Sequence, residues 1–237
     1  MARYSWRAKV QKTLSLIALF TLVIGWCFVG AAAAADSQKY TQGASYVPVR
    51  PAQPTEVKPG QIEVIEFFWY GCPHCFKLDP YVEKWLKHKP KNVVFKRIPV
   101  AMAWGEHMDV DGYAYYTAKA LGLEPKIHVP LFDAIHRNRQ FNLAKDKDAL
   151  QVFFKGYGIS KQDFDATWSS FSVNFEMRKA ADTEKRYGLT GVPTLIVNGK
   201  WKTGADYKTS NGNHMTPREI MQCVEKLVKV EEAGLKG

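Results

Sequence analysis

The sequence predicts an α/β domain whose chain is interrupted by a long helical segment. Residues 62–69 form a nearly continuous apolar run, which is typical of a strand buried on both faces of a parallel sheet. A helical pattern and a second strand pattern, at residues 93–100, follow this run, and the three together make a parallel β-α-β unit. Residues 105–171 then carry helical patterns alone, before strand patterns return at residues 194–197.

The first helix is predicted to run from Cys72 to about Lys87. Pro73 falls in its first turn, where the missing N–H of proline does no harm because that N–H would have no partner in a helix. Residues 36–61 are polar and rich in proline, so they predict a lead-in loop with one edge strand near residues 46–50.

Further helices are predicted within and after the interruption. The patterns place them at residues 110–121, 130–137, 147–155, 161–170 and 173–187. Asn198 and Gly199 predict a two-residue hairpin after the strand at 194–197, and Thr216 begins a final amphipathic helix. The chain is therefore divided into a signal segment (1–35), a lead-in (36–61), an α/β domain (62–104 and 172–237) and an inserted helical domain (105–171).

The first 35 residues have the layout of an export signal. Four Lys and Arg side chains precede an uncharged apolar run that ends in five alanines before Asp36. Small side chains at this point favour cleavage near Ala35 and export of the remaining chain. The apolar run is also long enough to span a bilayer, so an uncleaved membrane anchor is the alternative.

Charge and cysteine content argue against several other classes of protein. The four cations of the signal leave with it, which lowers the formal charge from +10 to +6. The other cations are scattered, and no basic run interleaved with aromatic residues predicts binding to nucleic acid. Of the four cysteines, Cys27 lies in the signal, and Cys72, Cys75 and Cys223 are too few for a fold held by several disulfides. These cysteines are therefore predicted to have a chemical role and not a structural one.

The motif Cys72-Pro73-His74-Cys75 predicts a redox-active disulfide at the junction between a strand and a helix. Two thiols at this spacing can close a small disulfide ring and open it again. Cys72 lies at the helix N-terminus, where the helix dipole and free N–H groups stabilise a thiolate, whereas Cys75 lies one turn inside. His74 can add a positive charge or a hydrogen bond. Because these effects favour the reduced form, Cys72 is predicted to be the attacked sulfur of an oxidising pair.

At these residues the chain resembles the bacterial periplasmic thiol–disulfide oxidoreductases of the DsbA type. The resemblance covers roughly residues 60–230 and includes the helical segment between the two halves of the domain. Its motifs are Glu66-Phe67-Phe68, Cys72-Pro73-His74-Cys75, Gly191-Val192-Pro193-Thr194 and Val197-Asn198-Gly199-Lys200.

The resemblance implies a fold, an activity and a set of partners. The expected fold is a thioredoxin fold with an inserted all-helical domain. The expected activity is donation of the Cys72–Cys75 disulfide to newly exported proteins in the periplasm, through a mixed disulfide. A quinone-linked membrane protein of the DsbB type would reoxidise the pair. No cofactor and no metal are expected, and the chain is expected to be a monomer.

The resemblance also assigns roles to residues outside the cysteine motif. Val192 and Pro193 match the family's cis-proline loop, which packs against the disulfide and offers its backbone to an extended substrate. Glu66 matches the family's buried acid below the cysteines, where it could relay the proton of Cys75. The family pairs this acid with a lysine on the next strand, and the match here falls on Arg97 or Lys96. The residue pattern by itself also predicts that Glu66 is buried, because Glu66 lies on the same face of its strand as alternate apolar residues.

Three more expectations concern side chains with possible chemistry. Glu63, near the strand start, is expected to be solvated. Cys223 lies on the apolar face of the last helix and is expected to act as a small buried hydrophobe. Four further histidines show no metal-ligand spacing among themselves and are expected at the surface or at helix ends; these are His107, His128, His136 and His214.

Two alternative functions remain open at this point. A disulfide isomerase or reductase would use the same fold, although the residues before Gln61 are too few for the dimerisation domain that isomerases of this compartment usually add. A structural zinc site would use Cys72 and Cys75 as two of its ligands, although no second Cys/His pair stands at a suitable spacing.

Overall fold

The structure of the chain is a computed structural model that describes residues 39–100 and 109–235. The predicted signal segment and His107 lie outside the described residues. The strands are β1 (Val47–Pro48), β2 (Ile62–Phe68), β3 (Val93–Pro99), β4 (Thr194–Val197) and β5 (Trp201–Gly204). The helices are α1 (Pro73–Leu86), α2 (Val110–Ala120), α3 (Glu124–His136), α4 (Lys147–Lys155), α5 (Lys161–Trp168), α6 (Phe171–Tyr187) and α7 (Pro217–Gly234), with a 3-10 turn at Phe141–Ala144.

The five strands form one mixed sheet in the order β1-β5-β4-β2-β3. Strands β2 and β3 are parallel and are joined by α1, as the β-α-β prediction requires, while the other neighbours are antiparallel. Every residue of β2 is buried, which confirms the prediction from its apolar run. The predicted edge strand in the lead-in is β1, which pairs with β5 at one end of the sheet.

Helices cover both faces of the sheet and also build a second core. Side chains of α1 and α7 pack on one face, against residues such as Val64 and Leu195. The C-terminal end of α6 covers the other face, where Tyr187 packs near Phe67. The helices α2 to α5 and part of α6 enclose a separate apolar cluster that includes Cys72 and Cys75. The cysteines therefore lie where the sheet meets the helical insertion.

The start of α3 differs from its prediction. The pattern placed it at residue 130, but the helix begins at Glu124 and continues through Pro130. Pro130 removes one backbone hydrogen bond from the helix interior. Ile127, Leu131 and Ile135 form a fully buried stripe along this helix, and its burial offsets that loss.

The hairpin between β4 and β5 confirms the Asn-Gly signal. Asn198 and Gly199 both have positive φ, at 53° and 65°, which is the backbone geometry that Asn-Gly turns favour. The connection is one residue longer than the predicted two, because Val197 pairs with Trp201 and leaves residues 198–200 between the strands. A β-carbon on Gly199 would lie 2.1 Å from the backbone oxygen of Gln53, so the lead-in segment passes directly over the turn. The Gln53 N–H in turn donates to the Gly199 carbonyl over 2.9 Å.

We predict that Gly199→Ala lowers the free energy of unfolding by about 3 kcal/mol, because it combines left-handed strain with a backbone clash. Gly212→Ala is the matched control, since Gly212 also has positive φ but has open space around it. It should lose only about 1 kcal/mol. Urea unfolding measures both values, and equal losses would contradict the predicted clash with Gln53.

Candidate active site

The two sulfurs of the cysteine motif lie at the first turn of α1. Cys72 is the N-cap residue, and Pro73 is the first residue of the helix. The Cys72 N–H donates to the Trp69 carbonyl over 3.0 Å, which fixes the turn between β2 and α1. Cys72 is 7% exposed and Cys75 only 1%, whereas Pro73 and His74 are exposed. Both cysteines are free thiols in this structure.

The surroundings of the two thiols make them chemically unequal. The pKa of Cys72 falls to about 6, because its sulfur accepts a hydrogen bond from the Cys75 thiol and from backbone N–H groups, with further help from the charge of His74. Burial and the nearby Cys72 sulfur raise the pKa of Cys75 well above its usual value. One sulfur therefore carries the negative charge near neutral pH, while the other keeps its proton.

The loop before β4 reaches the exposed side of Cys72. The Cys72 thiol donates to the Val192 carbonyl over 3.4 Å, although the two residues are 120 positions apart in the chain. The Val192–Pro193 peptide bond is cis, and Pro193 is buried. The Pro193 carbonyl accepts the Ala205 N–H over 3.2 Å, which ties the loop to the end of β5. The structure thus brings together Cys72, Val192 and Pro193.

Glu66 lies below the cysteines, is almost fully buried, and pairs with Arg97 rather than Lys96. The Arg97 Nε–H donates to Glu66 Oε2 over 3.2 Å. This pairing follows from the parallel register, which sets Glu66 directly beside Arg97 on β3. Burial raises the pKa of Glu66 to about 7, and the charge of Arg97 opposes that rise. Glu66 can therefore gain or lose a proton near neutral pH, and its charge reaches Cys75, where it helps to raise the pKa of that thiol.

Glu63 does not have the solvated position that was predicted for it. Glu63 is only 2% exposed, and its carboxylate accepts a 2.5 Å hydrogen bond from Lys96. The Glu56 N–H donates to the same carboxylate over 3.3 Å. The prediction was wrong because the lead-in segment folds back over the start of β2, which a strand pattern does not show.

Arg97 also holds two acidic side chains of α1. Its Nη2 donates to Asp79 over 3.3 Å and to Glu83 over 2.7 Å. A further carboxylate, that of Glu124, lies 4.0 Å from its Nη1. One buried guanidinium thus faces four acidic side chains, which belong to β2, α1 and α3.

His128 is buried and bonded on both ring nitrogens, so its predicted place at the surface or at a helix end was wrong. Its Nε2 lies 3.0 Å from Asp79 Oδ1, and its Nδ1 lies 2.9 Å from the Tyr70 hydroxyl. Burial lowers the pKa of His128, so the ring is neutral. A neutral ring donates from Nε2 to the Asp79 carboxylate and accepts the Tyr70 hydroxyl proton at Nδ1. The contact with Asp79 is therefore a hydrogen bond and not an ion pair.

His136 and His214, which share the prediction made for His128, differ from each other. His136 ends α3, is half-buried, and stacks on the Phe76 ring with 4.7 Å between centroids. Its Nε2 donates to the Tyr70 carbonyl over 2.7 Å. His214 is exposed, as predicted.

One group of side chains has the proximity required of metal ligands. Ligand atoms of Asp79, Glu83 and His128 lie within 4.8 Å of one another. However, Arg97 already donates to both carboxylates, and His128 directs its N–H toward Asp79. A metal ion would have to displace a guanidinium and face its charge, so this cluster is better suited to Arg97 than to a metal.

Cys223 belongs to a different apolar cluster from the two cysteines of the motif. It is fully buried in the core between α7 and the sheet, as predicted. Its sulfur lies 3.8 Å from the Thr203 hydroxyl and 3.7 Å from the Ser45 carbonyl. Burial raises the pKa of Cys223 to about 11, which keeps its thiol protonated and unreactive.

A separate groove of about 400 Å³ runs along the edge of β3. Aromatic side chains of α2 and the α6 residue Tyr187 form much of its wall, and Lys96 and Glu176 bring charges to it. Neither the cysteines nor Val192 and Pro193 line it, so it is distinct from the site of the sulfurs.

Comparisons with known proteins agree with this geometry. The family profile of the DSBA-like thioredoxin domain matches residues 110–210. The thiol:disulfide interchange protein DsbA of Pseudomonas aeruginosa is 36% identical over 203 residues, which cover 86% of this chain and 91% of that protein. The DsbA of Burkholderia cepacia is 35% identical over 192 residues, covering 81% and 89%. The chain belongs to the DsbA family of thiol:disulfide interchange proteins.

Solved structures of the DsbA family support the same conclusion for the fold. The crystal structure of Pseudomonas aeruginosa DsbA superposes with a TM-score of 0.72 at 35% identity, covering 84% of this chain and 97% of that one. DsbA from Xylella fastidiosa gives a TM-score of 0.70 at 28% identity, covering 80% and 96%. The predicted thioredoxin fold with a helical insertion is confirmed, and the chain is a disulfide oxidoreductase.

Several residues of this site were not singled out from the sequence. Asp79 lies four positions after Cys75, so helical spacing alone places it on the same buried face and could have revealed it. Tyr70 and Asp111 gave no such signal, and His128 was placed wrongly, because these residues come from distant parts of the chain and meet only in the folded protein.

We predict that the thiolate of reduced Cys72 titrates with a midpoint near its pKa of about 6. Because this pKa is depressed, the thiolate stabilises the reduced protein at high pH, and that contribution declines as pH falls toward the pKa. Ultraviolet absorbance of the thiolate measures the midpoint. Cys72→Ser should abolish the transition, while Cys223→Ala should leave it unchanged. A midpoint near the usual thiol value of about 8.5 would contradict the prediction.

We also predict that Arg97→Met lowers the free energy of unfolding by about 3–5 kcal/mol near pH 8, because it leaves buried carboxylates uncompensated. The raised pKa of Glu66 means that its neutral form is favoured, so stability falls as pH rises through about 7. Losing Arg97 should deepen that fall, and the deficit should shrink at about pH 5. Lys179→Met, which removes an exposed pair with Glu56, is the control and should cost less than about 1 kcal/mol. A deficit independent of pH would contradict this account.

Proposed function

We propose that the protein donates its Cys72–Cys75 disulfide to cysteine pairs of exported proteins. The observation that carries this proposal is the inequality of the two sulfurs. A strongly stabilised Cys72 thiolate favours the reduced form of the pair, and a pair that favours reduction oxidises its partners.

The reaction follows from this inequality in two exchanges. A substrate thiolate attacks Cys72, the Cys72–Cys75 bond breaks, and the Cys75 sulfur takes up a proton. The substrate's second thiolate then attacks the substrate sulfur of the mixed disulfide and releases Cys72 as a thiolate. The substrate loses two electrons and becomes a disulfide, while the enzyme becomes a dithiol with one proton on Cys75.

Glu66 is proposed to supply the proton that Cys75 needs. Its pKa of about 7 allows it to hold a proton at neutral pH and to release it when a thiolate forms nearby. Arg97 stabilises the carboxylate that results, since its Nε–H bonds the same side chain. In the reoxidation step, the same carboxylate would take the proton back.

The substrate is proposed to bind along the Val192–Pro193 loop. The Val192 carbonyl faces Cys72, with its oxygen 3.4 Å from the sulfur. An extended peptide could replace that contact with a backbone hydrogen bond, which would seat its cysteine beside Cys72. His74 is exposed next to Cys72 and is proposed to add positive charge there.

The cellular setting is part of the same proposal. The first 35 residues support export to the periplasm, with cleavage near Ala35, because they combine a basic start, an apolar run and a final stretch of alanines. Within the described residues, none of the helices has both the length and the apolar composition to cross a membrane. We propose that the protein acts as a monomer, that residues 105–171 form the inserted domain, and that a quinone-linked membrane oxidase of the DsbB type restores the disulfide.

The test is oxidation of a reduced peptide that contains two cysteines. The oxidised protein should form the peptide disulfide, and Cys72→Ser should abolish this activity. Cys75→Ser, mixed with an oxidised peptide, should accumulate a mixed disulfide at Cys72, because the resolving thiol is missing. Cys223→Ala is the control and should retain full activity.

Equilibration with glutathione separates a donor from a reductase. A donor should have a potential well above that of thioredoxin, which is about −270 mV. A potential near that value, or full activity of Cys72→Ser, would overturn the proposal.

A further inference from the structure

Three side chains of the helical insertion hold the two residues that precede Cys72. Asp111 Oδ2, on α2, accepts the Gly71 N–H over 2.9 Å. His136 and His128, on α3, bond the Tyr70 carbonyl and the Tyr70 hydroxyl over 2.7 and 2.9 Å. The polar groups of this short connection are therefore fixed by the insertion and not by the sheet.

The burial of Asp111 is unusual for a carboxyl that makes such a contact. It is fully buried, and its second oxygen, Oδ1, has no hydrogen-bond partner among the described residues. Burial raises the pKa of Asp111 well above its usual value, and the bonds from the Gly71 and Tyr70 backbone oppose that rise. Burying a half-satisfied carboxyl is costly, and packing alone would be served better by an apolar residue.

The helix that carries Asp111 is seated firmly. A β-carbon on Gly112 would lie 2.8 Å from the Val100 carbonyl and 2.9 Å from the Met177 side chain. The first turn of α2 is therefore pressed against the end of β3 and against α6. A carboxyl on this turn has little freedom to follow the connection if the connection moves.

The residue before this connection, Trp69, also contacts the cysteine motif. Its carbonyl accepts the Cys72 N–H over 3.0 Å, and its backbone opposes the rise that burial causes in the pKa of Cys75. Asp111 bonds the residue next to Cys72, so a shift of Gly71 would move the Cys72 sulfur relative to the N–H groups of α1 and to the Val192 carbonyl.

We propose that Asp111 is a positioning residue, which acts through the Gly71 N–H to set the reactivity of Cys72. His136 is a second positioning residue, which acts through the Tyr70 carbonyl. The proposal rests on the proposed role of Cys72 as the attacked sulfur. It assigns the insertion a part in tuning the redox pair.

The test compares two substitutions at the same position. Asp111→Asn replaces the ionisable carboxyl with a neutral amide and keeps an oxygen that can accept the Gly71 N–H, whereas Asp111→Leu removes that acceptor and adds a larger apolar side chain. Tyr113→Phe is the matched control, because it deletes a hydrogen bond to Asn174 from the same helix without contact to the connection. Each folded variant is measured for peptide oxidation rate, glutathione equilibrium and thiolate titration of Cys72.

Relative to Asp111→Asn, Asp111→Leu should slow peptide oxidation about fivefold and shift the glutathione equilibrium about threefold toward the oxidised enzyme, since a hydrogen bond of this kind is worth a comparable factor. Its thiolate should titrate at higher pH. Asp111→Asn and Tyr113→Phe should stay within about twofold of the wild type. A loss of stability in Asp111→Leu with unchanged rate, equilibrium and titration would show a purely structural role and overturn the proposal.

Two further measurements keep the result decisive. If Asp111→Leu does not fold, His136→Leu removes the donor to the Tyr70 carbonyl at a half-buried position and should shift the same three measurements in the same direction. Unchanged values in that variant would overturn the proposal. If the wild-type protein fails to oxidise the peptide, the proposed donor function is wrong. The thiolate titration still tests whether Asp111 affects the pKa of Cys72.

Discussion

The burial of one guanidinium beneath the cysteine pair is the constraint on which the rest of the site depends. Glu66 and Asp79 are both almost fully buried, and two buried carboxylates without a cation would be prohibitively costly. Arg97 bonds both, because the parallel register of β2 and β3 sets it beside Glu66 and because α1 crosses the same face of the sheet. The fold and the proposed proton chemistry are thus linked through one side chain.

The balance of charge around Arg97 also explains why Glu66 is suited to proton transfer. A carboxylate that has a cation to itself would be ionised at every physiological pH. Arg97 is shared among four acidic side chains, and burial raises the pKa of Glu66 to about 7 against the pull of the cation. Burial and incomplete compensation together place this acid near the pH at which a thiol exchange takes and returns a proton.

The helical insertion contributes polar contacts as well as apolar cover. Its side chains reach the connection before Cys72 from α2 and α3, and neutral His128 links Tyr70 to the Asp79 carboxylate. The proposed active site is therefore assembled from three parts of the chain: the β-α-β unit, the insertion and the loop before β4. The first contains the two sulfurs, the second bonds the residues before Cys72, and the third faces the Cys72 sulfur.

Local sequence patterns were sufficient to predict the elements that local interactions stabilise. The buried strand β2, the proline-led helix α1 and the Asn-Gly hairpin all follow from residues that are neighbours in the chain. The start of α3 was placed six residues too late, because Pro130 reads as a helix start although buried apolar side chains carry the helix through it. Glu63 and His128 were misplaced because what covers them comes from other parts of the chain.

By itself the sequence determined the α/β class, the helical interruption and the position of Cys72 at a helix N-terminus, since these depend on composition, periodicity and spacing. Tertiary structure alone decided that Arg97 and not Lys96 pairs with Glu66, that Val192 faces Cys72, and that Asp111 holds Gly71. Each of these contacts joins residues from separate elements, and its energy depends on burial and register that exist only once the chain is folded.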